Sequence, residues 1–160
     1  MSHPVTCTCA ACGGSTEFLD FGYQLPDCIW ALPPAERGQQ GQSFAELGAR
    51  RFVRCLFPIR LEDAREFRYG PWIEVEAGTF REIREIWDDP RYATLRFTGR
   101  IANAMPPWRE RIANIEVELA VRDQNVRPFV VASSTPWIQE LLDCGWTMAE
   151  YRAAAKELLP

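Results

Sequence analysis

From Arg51 the chain alternates: Val53, Cys55, Phe57 and Ile59 fall on one side of an extended segment, and Phe52, Arg54 and Leu56 on the other. A period of two is the signature of a β-strand. A second such segment runs over 67–77, interrupted by Gly70-Pro71, with Ile73, Val75 and Ala77 alternating against Trp72, Glu74 and Glu76. Leu95, Phe97, Gly99 and Ile101 alternate with Arg96, Thr98 and Arg100, and Ile115, Val117, Leu119 and Val121 with Glu116, Glu118 and Arg122. After the turn residues Asp123-Gln124-Asn125, Pro128 to Ala132 predicts a last strand, with proline tolerated at its start. Short connections between these strands imply an antiparallel sheet of about five strands. The polar faces carry opposite charge, so Arg96 and Arg100 are expected to face Glu116 and Glu118, or Glu74 and Glu76, across the ladder.

Helical spacing takes over in three places. Thr79-Phe80-Arg81-Glu82 reads as a capping box, and Phe80, Ile83, Ile86 and Trp87 then predict a helix over 80–87 that Asp88-Asp89-Pro90 stops. Thr135-Pro136 supplies an N-cap and a first-turn proline ahead of Trp137, Ile138, Leu141 and Leu142, and Gly145 ends that helix. Thr147-Met148-Ala149-Glu150 is a second capping box, opening a helix through Tyr151, Ala154, Ala155, Leu158 and Leu159. Residues 13–49, with Pro26, Pro33, Pro34 and several glycines, keep no period, and only a short helix near 34–37 is expected there. The predicted fold class is α+β: a single domain over 1–160, mainly an antiparallel sheet, with a helix after the second strand and two C-terminal helices. Its parts are a Cys-rich knuckle (1–16), an irregular segment (17–49), the sheet with one helix (50–134) and the C-terminal helices (135–160).

Composition narrows the function classes. With 160 residues and 47% hydrophobic content, including six tryptophans and nine phenylalanines, the chain can bury a core without covalent staples. It has no apolar run of about eighteen residues, so no membrane span is expected. A net charge of −4 argues against general nucleic-acid binding, which rests on cations neutralising phosphates. Lys156 is the sole lysine; the other cations are arginines, the better residue for bidentate pairing with carboxylates. No apolar signal segment follows Met1, and the expected compartment is cytoplasmic.

One local pattern calls for specific chemistry. Cys7, Cys9 and Cys12 precede Gly13-Gly14, and Cys9-Ala-Ala-Cys12-Gly-Gly has the form of half a metal knuckle. A closed structural zinc site needs four ligands; Cys28 is the nearest further thiol, so Cys7, Cys9, Cys12 and Cys28 are the candidate set. Free thiols and a redox pair are the alternatives. Cys55, on the apolar side of its strand, is expected to be a core thiol.

The inventory for catalysis is thin. His3 is the one histidine, and no phosphate-binding Gly-rich loop followed by Lys-Ser/Thr occurs. A small carboxylate- or metal-dependent enzyme, using Glu74 or Glu76 with Arg96 or Arg100, is one alternative. The favoured expectation is a non-catalytic binding protein that docks a protein partner through a charged and aromatic surface made of Trp72, Glu74, Glu76, Arg96, Arg100 and Trp108, with Trp30 as a further anchor. An acidic toxin-neutralising immunity protein and a homodimer are variants of that reading.

Several short pieces in order carry a resemblance over nearly the whole chain: Cys9-x-x-Cys12-Gly13, Phe57-Pro58-Ile59, Gly70-Pro71-Trp72, Gly99 with Asn103 and Met105-Pro106, Arg127-Pro128, and Gly145-Trp146-Thr147. In these the chain resembles the bacterial domain-of-unknown-function family 2199. The resemblance implies a compact single domain led by a Cys-x-x-Cys-Gly knuckle and brings no activity with it. The chain departs from the pattern where Ser15, Thr16 and Glu17 stand in place of a histidine after Cys-Gly, and where Thr135-Pro136 stands in place of His-Pro.

Overall fold

Residues 20–158 are described by the structure, a computed structural model. Its first four strands are β1 (Asp20–Gly22), β2 (Gln39–Gln40), β3 (Phe44–Leu47) and β4 (Arg50–Arg54). Then follow β5 (Phe57–Arg60), β6 (Glu66–Gly70), β7 (Trp72–Val75), β8 (Arg96–Ile101), β9 (Glu116–Ala120) and β10 (Phe129–Ala132). The α-helices are α1 (Asp27–Trp30), α2 (Ala77–Ile86), α3 (Pro136–Cys144) and α4 (Met148–Leu158), and Pro34–Glu36 and Pro90–Thr94 are 3-10 turns.

Each of the first two predicted strands is two strands. β4 pairs antiparallel with β7, β5 pairs antiparallel with β6, and the two pairs belong to different sheets. One long hairpin therefore bends at Cys55-Leu56 on one arm and at Pro71 on the other. Proline has no N–H for a ladder, so a sheet interior cannot run through it. The Pro71 carbonyl instead accepts from the Cys55 N–H at 3.0 Å and clamps the corner. The larger sheet has seven strands, in the order β10-β9-β8-β7-β4-β3-β2, and is antiparallel throughout; the smaller is β1-β6-β5, with β1 parallel to β6. The class is α+β as expected, but the sheet is larger than about five strands. The difference lies in β2 and β3, which together with β1 of the smaller sheet and α1 fall inside the segment predicted to be irregular.

The main core lies between the sheets and the helices. On one face of the large sheet Val53, Ile73, Val75, Val117 and Leu119 meet Phe80, Ile83 and Ile86 of α2. Phe67 and Tyr69 of β6 meet Trp146 and Tyr151 beside α3 and α4. A second cluster, Leu25, Ile29, Ala45, Phe52 and Trp72, sits on the opposite face, where residues 23–31 cross β3, β4 and β7. That cover stops short of β8 and β9, which leave Arg96, Thr98, Arg100 and Glu116 exposed.

The helix starts divide. At α4 the capping box is complete: Thr147 N–H donates to Glu150 Oε1 at 3.0 Å and Glu150 N–H to Thr147 Oγ1 at 3.1 Å. At α2 the Thr79 box is unused, because the chain turns helical straight out of β7, with Glu76 at the N-cap and Phe80 N–H already donating to the Glu76 carbonyl. Thr135 holds the N-cap of α3 without a side-chain bond, and Gly145 closes the helix as predicted. No helix among the described residues is long and apolar enough to cross a membrane.

Candidate functional site

The exposed half-face keeps its charges to itself. Arg100 stands opposite Glu116 and Glu74 in the ladder, Arg96 Nη2 pairs with Glu118 at 2.7 Å, and Arg50 grips Glu74 through Nε and Nη2 at 2.8 and 2.7 Å. The cross-strand pairing predicted for Arg96 and Arg100 is therefore present. Glu76 is apart from it, exposed at the start of α2.

The tryptophans correct the sequence expectation. Trp72 has no exposed surface; its Nε1–H donates to the Tyr23 carbonyl at 2.9 Å beneath the 23–31 cover, so it is not an available anchor. Trp108 is half-buried and stacks on Trp146 with centroids 5.5 Å apart, which makes it core packing too. Trp30 is exposed, with the Arg37 guanidinium 5.0 Å from its ring centroid.

Of the candidate zinc ligands, Cys7, Cys9 and Cys12, and with them the knuckle, lie outside the described residues. Cys28 is half-buried; burial raises its thiol above the ordinary range, with Arg50 opposing and Glu74 adding. Among the described residues no group of three His, Cys, Asp or Glu side chains could hold a metal. Cys55 is fully buried, with its thiol pushed well up by burial, and is the core residue its alternation predicted.

A concavity lies where the bent hairpin parts the two sheets. It is a cleft of about 500 Å³ whose walls include Leu56, Arg68, Trp87, Tyr92, Val126 and Arg127. Each wall comes from a different local cause. Leu56 is at the hairpin corner, Trp87 caps the C-terminus of α2, Tyr92 is carried by the turn that Asp89 and Pro90 start, and Arg127 ends the β9–β10 connection just before Pro128. Tyr92 is buried, its hydroxyl donates to the Val126 carbonyl at 2.8 Å, and burial pushes its pKa up to about 12 against the opposing Arg127.

Arg127 lines this cleft, and Arg54 stands behind it, its guanidinium over the Trp72 ring. Both guanidiniums donate to the Gln42 carbonyl, Arg127 through Nη2 at 3.1 Å and Arg54 through Nη1 at 3.4 Å. Both are half-buried, each has an Nε that is shut off from solvent with no acceptor, and neither takes a carboxylate among the described residues. Arg50, Arg51, Arg68, Arg96 and Arg122, from the same sheets and their margins, all do. Burial lowers the pKa of both, and the neighbouring positive charge of Arg127 lowers Arg54 further. Two like charges held close in a partly desolvated corner are unfavourable unless an anion completes them. Arg68, on the opposite side, is held by Glu66, which also binds Arg122; Arg68 and Arg122 both lie over the Phe129 ring. A carboxylate that also lines the cleft, Asp88, is exposed and screened by solvent. This pair escaped the sequence reading because Arg54 occupies an ordinary polar phase of its strand, and nothing local ties it to Arg127.

The sequence model of a family described as an uncharacterized protein conserved in bacteria (DUF2199) matches residues 8–139. The chain belongs to that family. No curated protein and no solved structure matches it. Within this DUF2199 chain the matched span takes in the bent hairpin, the whole large sheet, and both Arg54 and Arg127.

Proposed function

We propose that this DUF2199 protein is a non-catalytic binding protein that docks a protein partner by receiving an anionic group of that partner in the arginine cleft. The observation that carries the reading is Arg127, half-buried in the cleft wall and sharing the Gln42 carbonyl with Arg54 behind it, neither taking a carboxylate among the described residues. Such a pair costs stability in the free protein, and bound anion offsets that cost. The ion-paired half-face of β8 and β9 is a weaker docking surface, because its charges are already matched.

Thermal unfolding at constant ionic strength tests this, with chloride replaced by glutarate or by inorganic phosphate. The parent is expected to gain several degrees with at least one of the two anions. In Arg127→Gln the gain is expected to vanish while the unfolding temperature in chloride stays level or rises, since one of two repelling charges is gone. A parent that responds to neither anion beyond its chloride value overturns the reading.

A structural zinc held by Cys7, Cys9, Cys12 and Cys28 is a separate part of the proposal, resting on the ligand chemistry of the thiolates. Metal analysis of the purified protein is expected to give about one zinc per chain, and none after Cys9→Ser with Cys12→Ser. A parent free of zinc removes it.

A further inference from the structure

We infer that the group this cleft receives is a single carboxylate carried beside an apolar side chain, the arrangement found at the C-terminal end of a polypeptide. The inference rests on the binding reading above and narrows it from any anion to one class.

The donors at hand are the first ground. A guanidinium has five N–H donors. Arg127 gives one from Nη2 to the Gln42 carbonyl and has its Nε–H shut off from solvent, so those left for a ligand are all on its two Nη atoms. Arg54 adds none to them, because it is outside the wall with its guanidinium over the Trp72 ring. The other guanidinium of the wall, Arg68, is held by Glu66 at 2.9 Å. One guanidinium is therefore on offer, and the two coplanar oxygens of a carboxylate match it.

Charge is the second. A carboxylate brings one negative charge to the one guanidinium of the wall that has no carboxylate of its own. A phosphate monoester near neutral pH brings about two, and the surplus charge has no partner in a partly desolvated corner. It also meets Asp88 on the same wall, a carboxylate that takes no ion pair among the described residues. Asp88 is exposed and acts through solvent, so it weakens a dianion without shutting it out.

Size and lining are the third. At about 500 Å³ the cleft is far larger than a bare carboxylate needs. Trp87 and Val126, both half-buried, give it apolar wall, while Ser43, Gln124 and Asn125 add a hydroxyl and two side-chain amides. The apolar wall suits the last side chain of a polypeptide and the polar groups suit its last peptide amide, with the terminal carboxylate left for Arg127.

Isothermal titration at pH 7.5 with N-acetylphenylalanine, its uncharged amide, phenylacetate and phenyl phosphate tests the inference. The acid is expected to bind at least about tenfold more tightly than its amide, which keeps the ring and the peptide group and lacks only the charge. It should also bind about threefold or more tightly than phenyl phosphate, whose second charge is unmatched. In Arg127→Gln the acid and the amide should come to within about twofold of one another. An acid that keeps its advantage in that variant is held elsewhere, and the inference fails. If phenyl phosphate binds the parent as tightly as the acid or more so, the carboxylate inference fails while the anion-binding reading stands. If the acid binds no better than its amide, or not at all, the inference fails, and the anion-binding reading fails with it only where glutarate and phosphate also leave the unfolding temperature unmoved. Phenylacetate separates the sources: weaker binding than N-acetylphenylalanine assigns the carboxylate to a polypeptide end. Binding as tight as the acylated amino acid overturns that end and keeps only the carboxylate.

Discussion

Gly145→Ala is expected to lower stability by about 3 kcal/mol or more, because a left-handed backbone and a steric collision act at the same atom. Gly145 ends α3 at φ +69°, a conformation that side-chain-bearing residues adopt at a cost. A methyl group there would run into the Arg60 carbonyl oxygen, and that oxygen is not free to move. It accepts from the Trp146 N–H at 2.8 Å, the Trp146 carbonyl accepts from Glu62 N–H at 3.1 Å, and the Arg60 guanidinium reaches back to the Asp143 carbonyl. The substitution therefore forces α3 off β5 and loosens the stacking of Trp146 on Phe67 and Trp108. For a chain of this length the corresponding loss in unfolding temperature is about 6–12 °C. Gly48→Ala is the control. Gly48 also has positive φ, +56°, but open space around its missing Cβ, so only the backbone term applies, at about 1 kcal/mol. Equal losses in the two variants would show that no collision occurs at Gly145.

The same corner shows what a sequence of this kind makes legible. Alternation located the extended segments on both arms of the hairpin, because each half keeps period two. It could not show that the ladder partner changes sheets at Cys55-Leu56, since side chains alternate through a bend much as through a straight strand. Pro71 was the local sign, lacking the N–H that an uninterrupted sheet strand needs. The strands β1 to β3 run to four residues at most, shorter than any window in which a period stands out, and Pro26, Pro33 and Pro34 around them argued for loop.

Trp72 marks a second boundary. Its alternation with Ile73 assigned it correctly to the face shared with Glu74, yet that face is buried at Trp72 and open at Arg96. Whether a polar-phase residue meets solvent depends on where the 23–31 segment crosses the sheet, and that crossing is set by tertiary contacts and not by the strand's own period. The candidate cleft follows the same logic. Arg127 in the cleft wall gains Arg54 as a neighbour only because β4 ends and β10 begins against one another at Leu56, whose N–H donates to the Pro128 carbonyl at 2.9 Å while its own carbonyl accepts from Val130 N–H at 2.9 Å. Arg127-Pro128 was visible as a motif; its neighbour was not.

Asn103→Ala is expected to cost about 3–4 kcal/mol, the sum of a small cavity and buried backbone groups left without partners. Asn103 is fully buried. Its Oδ1 accepts from the Trp72 N–H at 2.8 Å, while Nδ2 donates to the Leu25 carbonyl and to Asp27 Oδ1, both at 2.9 Å. Asp27 in turn accepts from the Ala104 N–H at 2.6 Å. One side chain thus ties the 23–31 cover to the sheet over Trp72 and Phe52. Asn103→Asp separates this network from mere packing. The replacement has nearly the same shape and keeps an acceptor for Trp72 N–H, but its second oxygen, when ionised, faces the Leu25 carbonyl and the Asp27 carboxylate. Burial and that neighbouring charge raise the new carboxyl's pKa in the folded protein above the unfolded value of about 3.9. Protonated, it can donate as the amide did, so the variant is expected to sit close to the parent at pH 4. It should fall progressively below the parent as pH rises from there through the raised folded-state value, since the unfolded chain releases the proton first. Asn103→Ala should show no such widening gap between pH 4 and pH 7. Urea unfolding of the three proteins at both values checks this; a deficit in Asn103→Asp that is the same at both would mean that the Asn103 amide donates to neither Leu25 nor Asp27.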